Sequence, residues 1–358
     1  MFAHPRALLV AGTVVGVLVL PAAAGAATKV VTMGPPSDHA EDLQRYAADV
    51  NAFFPRKVTI RVGDTVQFVP HGFHNADVPP RGQGGTPLLA PTGEAVAGAV
   101  DAAGAPFWFN GQPQLGFDPS LLDSKFGDRV TFDGRDRVNS GLPLGENPRP
   151  FAVRFTRAGT YEYFCDVHPG MRGTVRVLPK RSRVPSRRAD ARAVERQARR
   201  AVRTAQRLSR VQGTSGVVEL GVAGPGGVER FAMVPESVTV APGTTLRFQM
   251  SRGSFEVHTA TFGPGNPETE PTSYLGRLTA SFESPVIDPI ALYPSDAPGS
   301  PNVVTSTTHG NGFWNTGVLD PVDATPLPSA ATAQFTEPGT YTFYCLVHPF
   351  MRGTVVVR

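Results

Sequence analysis

Cysteine is scarce. Cys165 and Cys345 are the only two in 358 residues, which excludes a fold stapled by a disulfide framework and leaves room for one bridge at most. Long apolar runs are equally scarce. The only one, Ala7–Leu20, follows Arg6 and precedes the small-residue tract Ala22-Ala23-Ala24-Gly25-Ala26-Ala27. A charged start, a short apolar stretch and an Ala-x-Ala-like site make residues 1–26 a secretory signal peptide. The run is short for a membrane span, and no cysteine follows it to carry a lipid anchor. The expected protein is exported, periplasmic or extracellular, and soluble. Among its eight histidines there is no His-x-His pair.

Glycine and proline are plentiful, 38 and 35 residues. The patterned runs are short and β-branched, which points to turn-rich β-structure rather than helices. Charge is unevenly placed. The whole chain carries +4; residues 180–210 hold Lys180 and eleven arginines against Asp190 and Glu195, a local +10. With +1 from Arg6, this leaves −7 on the remainder. Two mildly acidic units are therefore joined by a strongly basic connector, 180–213. In the connector, Ala191, Val194, Ala198, Ala201, Ala205 and Leu208 recur at three- and four-residue steps. That is the apolar seam of a helix, with Ser186 as its cap and Gly213 beyond its end. The expected role is a spacer helix laid against a domain. Its arginines could also dock an anionic partner or lipid surface. For an exported chain, nucleic acid is not an expected partner.

The units flanking the connector, 27–179 and 214–358, repeat one another. Lys57–Val62 and Thr65–Val69 alternate at period two, as half-buried strands do; Ser237–Val240 and Leu246–Phe248 echo them. His74-Asn75 is echoed by His258-Thr259, and Gly159-Thr160-Tyr161 by Gly339-Thr340-Tyr341. Phe107–Pro119, within the long Pro/Gly-rich stretch 79–150, is matched with Phe313–Pro321. A structureless loop of that length is improbable in a folded domain, so packing through Phe107-Trp108-Phe109 is expected. Ser37–Tyr46 reads as a short helix capped by Ser37.

The strongest repeat is Cys165-Asp166-Val167-His168-Pro169-Gly170-Met171 against Cys345-Leu346-Val347-His348-Pro349-Phe350-Met351. Each copy offers a thiol, an imidazole and a thioether at three-residue steps. Equivalent positions in two repeats suit two metal thiolates better than one disulfide. A soft thiolate with a thioether selects soft metals; methionine is a poor zinc ligand, so its recurrence favours copper. Each loop supplies one histidine, and a second must come from upstream: His74 in the first unit, with His71 as competitor, and His258 in the second.

These motifs resemble the cupredoxins, the family of plastocyanin, pseudoazurin and amicyanin. Gly-x-Tyr followed by two aromatics and Cys is similar to theirs, His74-Asn75 resembles the first ligand and neighbour of plastocyanin, and the short Cys-x-x-His-x-x-Met loop resembles that of amicyanin. The resemblance implies an all-β chain of two Greek-key β-sandwiches, each with a type 1 copper. The sites would be His74, Cys165, His168 and Met171, and His258, Cys345, His348 and Met351. It further implies electron transfer with redox partner proteins, through an exposed histidine edge. Gly170 against Phe350, and Asn75 against Thr259, predict two unequal centres. Competing readings are a two-domain copper nitrite reductase or multicopper oxidase, and a copper storage or delivery protein. The enzyme would need a further copper. Only His39, His71 and His309 remain as ligands for it in the mature chain, and His309 with His71 at a subunit interface is the pairing such an enzyme would use.

Overall fold

Period-two alternation puts Val58 and Ile60, or Val66 and Phe68, on one face of a strand, and these faces are buried. In a computed structural model describing residues 26–321 and 327–358, such strands build two β-sandwiches and give an all-β molecule with few helices. All but Ala26 of the expected signal peptide lies outside the described residues. None of the described helices is long and apolar enough to cross a membrane.

In the first unit one sheet runs Phe53–Phe54, Thr28–Met33, Thr65–Pro70, Phe151–Phe155, Arg129–Phe132. The facing sheet runs Lys57–Arg61, Arg172–Leu178, Gly159–Phe164, Asp77–Val78, Val138–Asn139. The second unit repeats both orders. One sheet has Val228–Val234, Val217–Gly224, Thr244–Met250, Ala330–Phe335 and Val303–Val304; the other has Ser237–Val240, Arg352–Val357, Gly339–Tyr344, Thr261–Phe262 and Trp314–Asn315. Aromatic rings fill both cores, with Phe53, Phe68 and Tyr163 in one and Phe248, Phe262 and Phe343 in the other.

Strand register corrects one internal match. Trp314–Asn315 pairs with Thr261–Phe262 as Val138–Asn139 pairs with Asp77–Val78. The hydroxyl that follows is also shared: Ser140 Oγ accepts from Ala76 N at 3.0 Å, and Thr316 Oγ1 from Ala260 N at 2.9 Å. The counterpart of Phe313–Pro321 is therefore the stretch around Val138–Asn139, not Phe107–Pro119. The shared aromatics and Asp-Pro misled because composition, unlike a ladder register, says nothing about which backbone groups pair.

Two segments of the first unit pack on the second. The arm between Met33 and Phe53 holds the helix Ser37–Gln44 and the strand Ala48–Val50, which joins the second unit's sheet against Val228–Val234. It covers a sheet edge that would otherwise offer unpaired backbone groups. Ser37 opens that helix but does not cap it; the cap position is Pro36, without a side-chain bond. The other segment is the long insertion. Its hairpin, Leu89–Ala95 with Pro113–Phe117, leads to Phe107, Trp108 and Phe109, which do pack, but against Phe313 and Tyr293 of the second unit.

The connector helix Arg187–Leu208 is capped by Ser186, whose Oγ accepts from Ala189 N at 3.3 Å. Ala198, Ala201, Ala205 and Leu208 are buried against Leu43, Val50 and Phe54 of the first unit and Val222, Val228 and Val234 of the second. Ala191, at the start of the seam, is exposed. The helix is thus packed between both units rather than on one. Gln197 Nε2 bonds to Phe53 O at 2.7 Å, and Asp190 pairs with Lys29.

Candidate metal centres

Cys165 follows the strand Gly159–Phe164 directly, and Cys345 follows Gly339–Tyr344. The chain then turns back on itself. Cys165 N donates to Met171 O at 3.0 Å and Met171 N to His168 O at 2.9 Å; in the second loop the same bonds are 3.0 and 2.8 Å. The second residue of each return strand, Arg172–Leu178 and Arg352–Val357, is a glycine for a steric reason. A Cβ on Gly173 would lie 2.2 Å from the Tyr163 ring, and one on Gly353 2.3 Å from the Phe343 ring.

The turn brings the upstream and loop histidines onto the cysteine. In the first unit His74 Nδ1 and His168 Nδ1 are 3.0 Å apart, and lie 3.7 and 3.5 Å from Cys165 Sγ. In the second, His258 Nδ1 and His348 Nδ1 are 3.1 Å apart, and lie 3.6 and 3.7 Å from Cys345 Sγ. In each triangle the point equidistant from the three atoms is about 2 Å from each, close to metal–imidazole and metal–thiolate bond lengths. These are the two groups of three or more His, Cys, Asp or Glu donors that converge among the described residues. Met171 and Met351 are buried in the same clusters as the cysteines. The donor set therefore fits a soft first-row ion, copper above all.

Asn75 and Thr259 do the same work with different groups. Asn75 Oδ1 accepts from Asp166 N at 2.7 Å, and Thr259 Oγ1 from Leu346 N at 2.9 Å, so each ties the upstream histidine's segment to the residue after the cysteine. Thr259 N also points to Cys345 Sγ at 3.5 Å.

Electrostatics at the donors respond to this crowding. Burial holds the His74 imidazole well below the usual histidine range, and His168 adds to the effect. His168 moves the other way: burial opposes its charge, but Glu256 and Cys165 outweigh burial and raise it well above that range. His258 is pushed up to about 10, burial being overcome by Cys345 and Glu229. The Cys345 thiol is lowered well below its usual range, because His258 and His348 outweigh burial. The protons that the imidazoles hold against the Cys345 thiolate stand where a metal ion would bind, displacing them and compensating the thiolate.

No family model matches the chain, and no curated protein does. Solved structures of amicyanin are similar in part. A proline-to-glycine variant of amicyanin in its reduced Cu(I) form at pH 4 is 19% identical, covering 42% of this chain and 89% of that one at a TM-score of 0.22. Amicyanin from Paracoccus versutus is 16% identical, covering 42% of this chain and 88% of that one, also at 0.22.

Two glutamates that the motifs did not single out complete the surroundings. Glu229 Oε1 lies 3.3 Å from His258 Nε2, and Ser254 Oγ donates to Glu229 Oε2 at 2.5 Å. Glu256 faces both centres: Oε1 is 3.2 Å from His168 Nε2, and Oε2 is 3.6 Å from His348 Nε2. Asn51, carried in by the arm, donates to Glu256 Oε1 at 2.7 Å. Burial works against ionising Glu256, but His168, His348 and His258 outweigh it and hold the carboxyl well below the usual range. A sequence signal existed: Glu256 stands where the first unit has Gly72, an acid two residues before a histidine in an otherwise buried stretch.

His39 and His309 are engaged elsewhere. His39 Nε2 meets Glu195 at 2.9 Å on the connector helix, and His309 sits between Asp101 and Asp296, 3.2 Å from each. His71 joins neither donor group. The expected exposed histidine edge is uneven. His168 is covered by the second unit, with the Phe255 ring over Gly170; the His348 side chain keeps 18% of its surface beside exposed Phe350.

Proposed function

We propose that this chain is an exported electron-transfer protein, a tandem cupredoxin with one type 1 copper in each unit. The observation that carries the reading is the convergence, twice, of two imidazole Nδ1 atoms and a cysteine Sγ, with a methionine buried beside each group. Bound copper would supply one-electron chemistry, alternating between Cu(I) and Cu(II). The protein's part is to hold His74, Cys165, His168 and Met171, and His258, Cys345, His348 and Met351, on stiff sandwiches. Rigid donors limit rearrangement as the charge changes, which favours fast transfer.

Phe350 and Phe231 flank His348, the latter with ring centroids 4.9 Å from the imidazole. This surface would receive a redox partner at the second centre. The exposed arginines of the connector helix, among them Arg196, Arg200 and Arg203, would attract an acidic partner or an anionic lipid surface.

Metal analysis and absorption of the copper-loaded protein test the reading. Two coppers per chain and an intense visible thiolate-to-copper band, with no second spectroscopic type, are expected. A third copper with turnover of nitrite or oxygen would move the protein to the enzymes. Preference for zinc without colour would overturn the copper reading.

A further inference from the structure

Among the described residues, Glu256 is the one acidic side chain with an ion pair to loop histidines of both donor groups. Each of those histidines turns Nδ1 toward its cysteine and Nε2 toward the carboxylate. The atoms thus run without a gap wider than 3.7 Å from Cys165 through His168, Glu256 and His348 to Cys345. Glu256 and His168 are each 7% exposed, so little water intervenes. Burying a carboxylate is costly unless it is paired and hydrogen-bonded, and here the compensation comes from two units at once. Asn51 fixes one oxygen, and Phe255, the preceding residue, is wedged on Gly170 of the opposite loop. Gly72 occupies the matching place in the first unit, so a single carboxylate serves both sites.

We infer that Glu256 is a positioning residue that couples the two centres, joining His168 to His348 and carrying one-electron exchange between them inside one chain. The inference rests on the two-copper reading. With the first centre Cu(I) and the second Cu(II), one electron passes; the first becomes Cu(II) and the second Cu(I). No bond breaks, and both Nε2 protons stay in place. Electronic coupling through covalent and hydrogen bonds decays less steeply with distance than coupling across empty space. The contact to His348, just beyond hydrogen-bond length, is then the link that limits the rate.

The test uses the full copper-loaded chain. A short radiolytic pulse reduces a small fraction of the copper, and absorbance follows both centres. One band should recover as the other bleaches, with a rate constant independent of protein concentration. Glu256→Gln, which keeps the shape and one acceptor, should retain both coppers and slow this phase more than tenfold; Glu256→Ala should slow it further, and Glu256→Asp should restore part of it. In redox titrations Glu256→Gln should raise both potentials together, since a negative charge leaves both centres, whereas Glu229→Gln, which among the donor histidines meets His258, should move the second centre alone. A merely structural Glu256 would alter unfolding and leave these readouts in place. Two coppers with no concentration-independent phase, or a phase unchanged within twofold in both Glu256→Gln and Glu256→Ala, would overturn the coupling while sparing the two-centre reading. Uptake of fewer than two coppers would overturn both.

Discussion

Gly170 and Phe350 occupy the same place in the two loops and meet opposite surroundings. Phe350 is 54% exposed; Gly170 has φ +110° and lies so close to Phe255 that a Cβ would come within 2.4 Å of its ring. A side chain at 170 must both adopt a backbone conformation that L-residues avoid and displace a ring. Gly170→Phe should therefore cost about 3 kcal/mol of stability, read as a lower midpoint in urea unfolding. The reverse change, Phe350→Gly, should leave that midpoint almost unmoved. The two cysteines permit an independent residue-level test. Cys345→Ser removes a thiolate from one donor group and leaves His74, Cys165 and His168 untouched. It should leave one copper per chain and about half the thiolate-to-copper absorbance, by the two-site count. Loss of all the colour would mean that the donor groups do not bind independently.

At the scale of elements, the long insertions behave as mutual clamps. His309 reaches from the second unit's insertion to Asp101 of the first and to Asp296 of its own, with the Phe107 and Phe313 rings alongside. Asp296 leads in raising the His309 imidazole above its usual range; burial opposes it, and Asp101 assists. A group whose folded pKa is raised contributes stability fully below its unfolded value, near 6.5, and loses that contribution as pH rises through the folded value. The wild-type melting temperature should therefore fall on raising the pH from about 6 into the alkaline range. In His309→Gln that part of the slope should be missing. An identical pH profile in the variant would show that the clamp does not depend on charge. The connector helix is the second clamp, its small alanine face allowing it to lie close to strands of both units.

For the molecule as a whole, covering His168 makes the two centres unequal in access. The first is closed by the second unit, while the second keeps the apolar patch of Phe350 and Phe231 beside His348. Under the proposed function, electrons from a protein donor should then arrive through the second centre. Phe350→Asp replaces an exposed ring with a charge, and should slow bimolecular reduction by such a donor about tenfold, the scale of one lost apolar anchor. Reduction by a small inorganic reductant should change much less. Equal slowing with both reductants would place the effect in the copper site rather than the docking surface.

The amino-acid sequence by itself determined the half-buried strands with period-two alternation and the two histidines and the cysteine that meet at each centre. Period-two burial, the spacing Cys-x-x-His-x-x-Met and a histidine three residues ahead of a short strand are local patterns, and in both units they bring two histidines and the cysteine together. His74 was separable from His71 because His74-Asn75 resembles the cupredoxin pair and precedes Ala76-Asp77-Val78; in the structure Asn75 also holds the backbone after Cys165. Where composition stood in for register, as in matching Phe107–Pro119 with Phe313–Pro321, the pairing came out wrong. Only the tertiary structure decided how the units meet: the strand Ala48–Val50 given to the other unit's sheet, the insertions packed on one another, and Phe255 seated on Gly170. These contacts join residues about 85 to 210 positions apart, for which no short-range periodicity exists. Glu256 is the clearest case. Its chemistry is legible at position 256, but its meaning depends on His168 and His348 arriving at its two oxygens from different sandwiches.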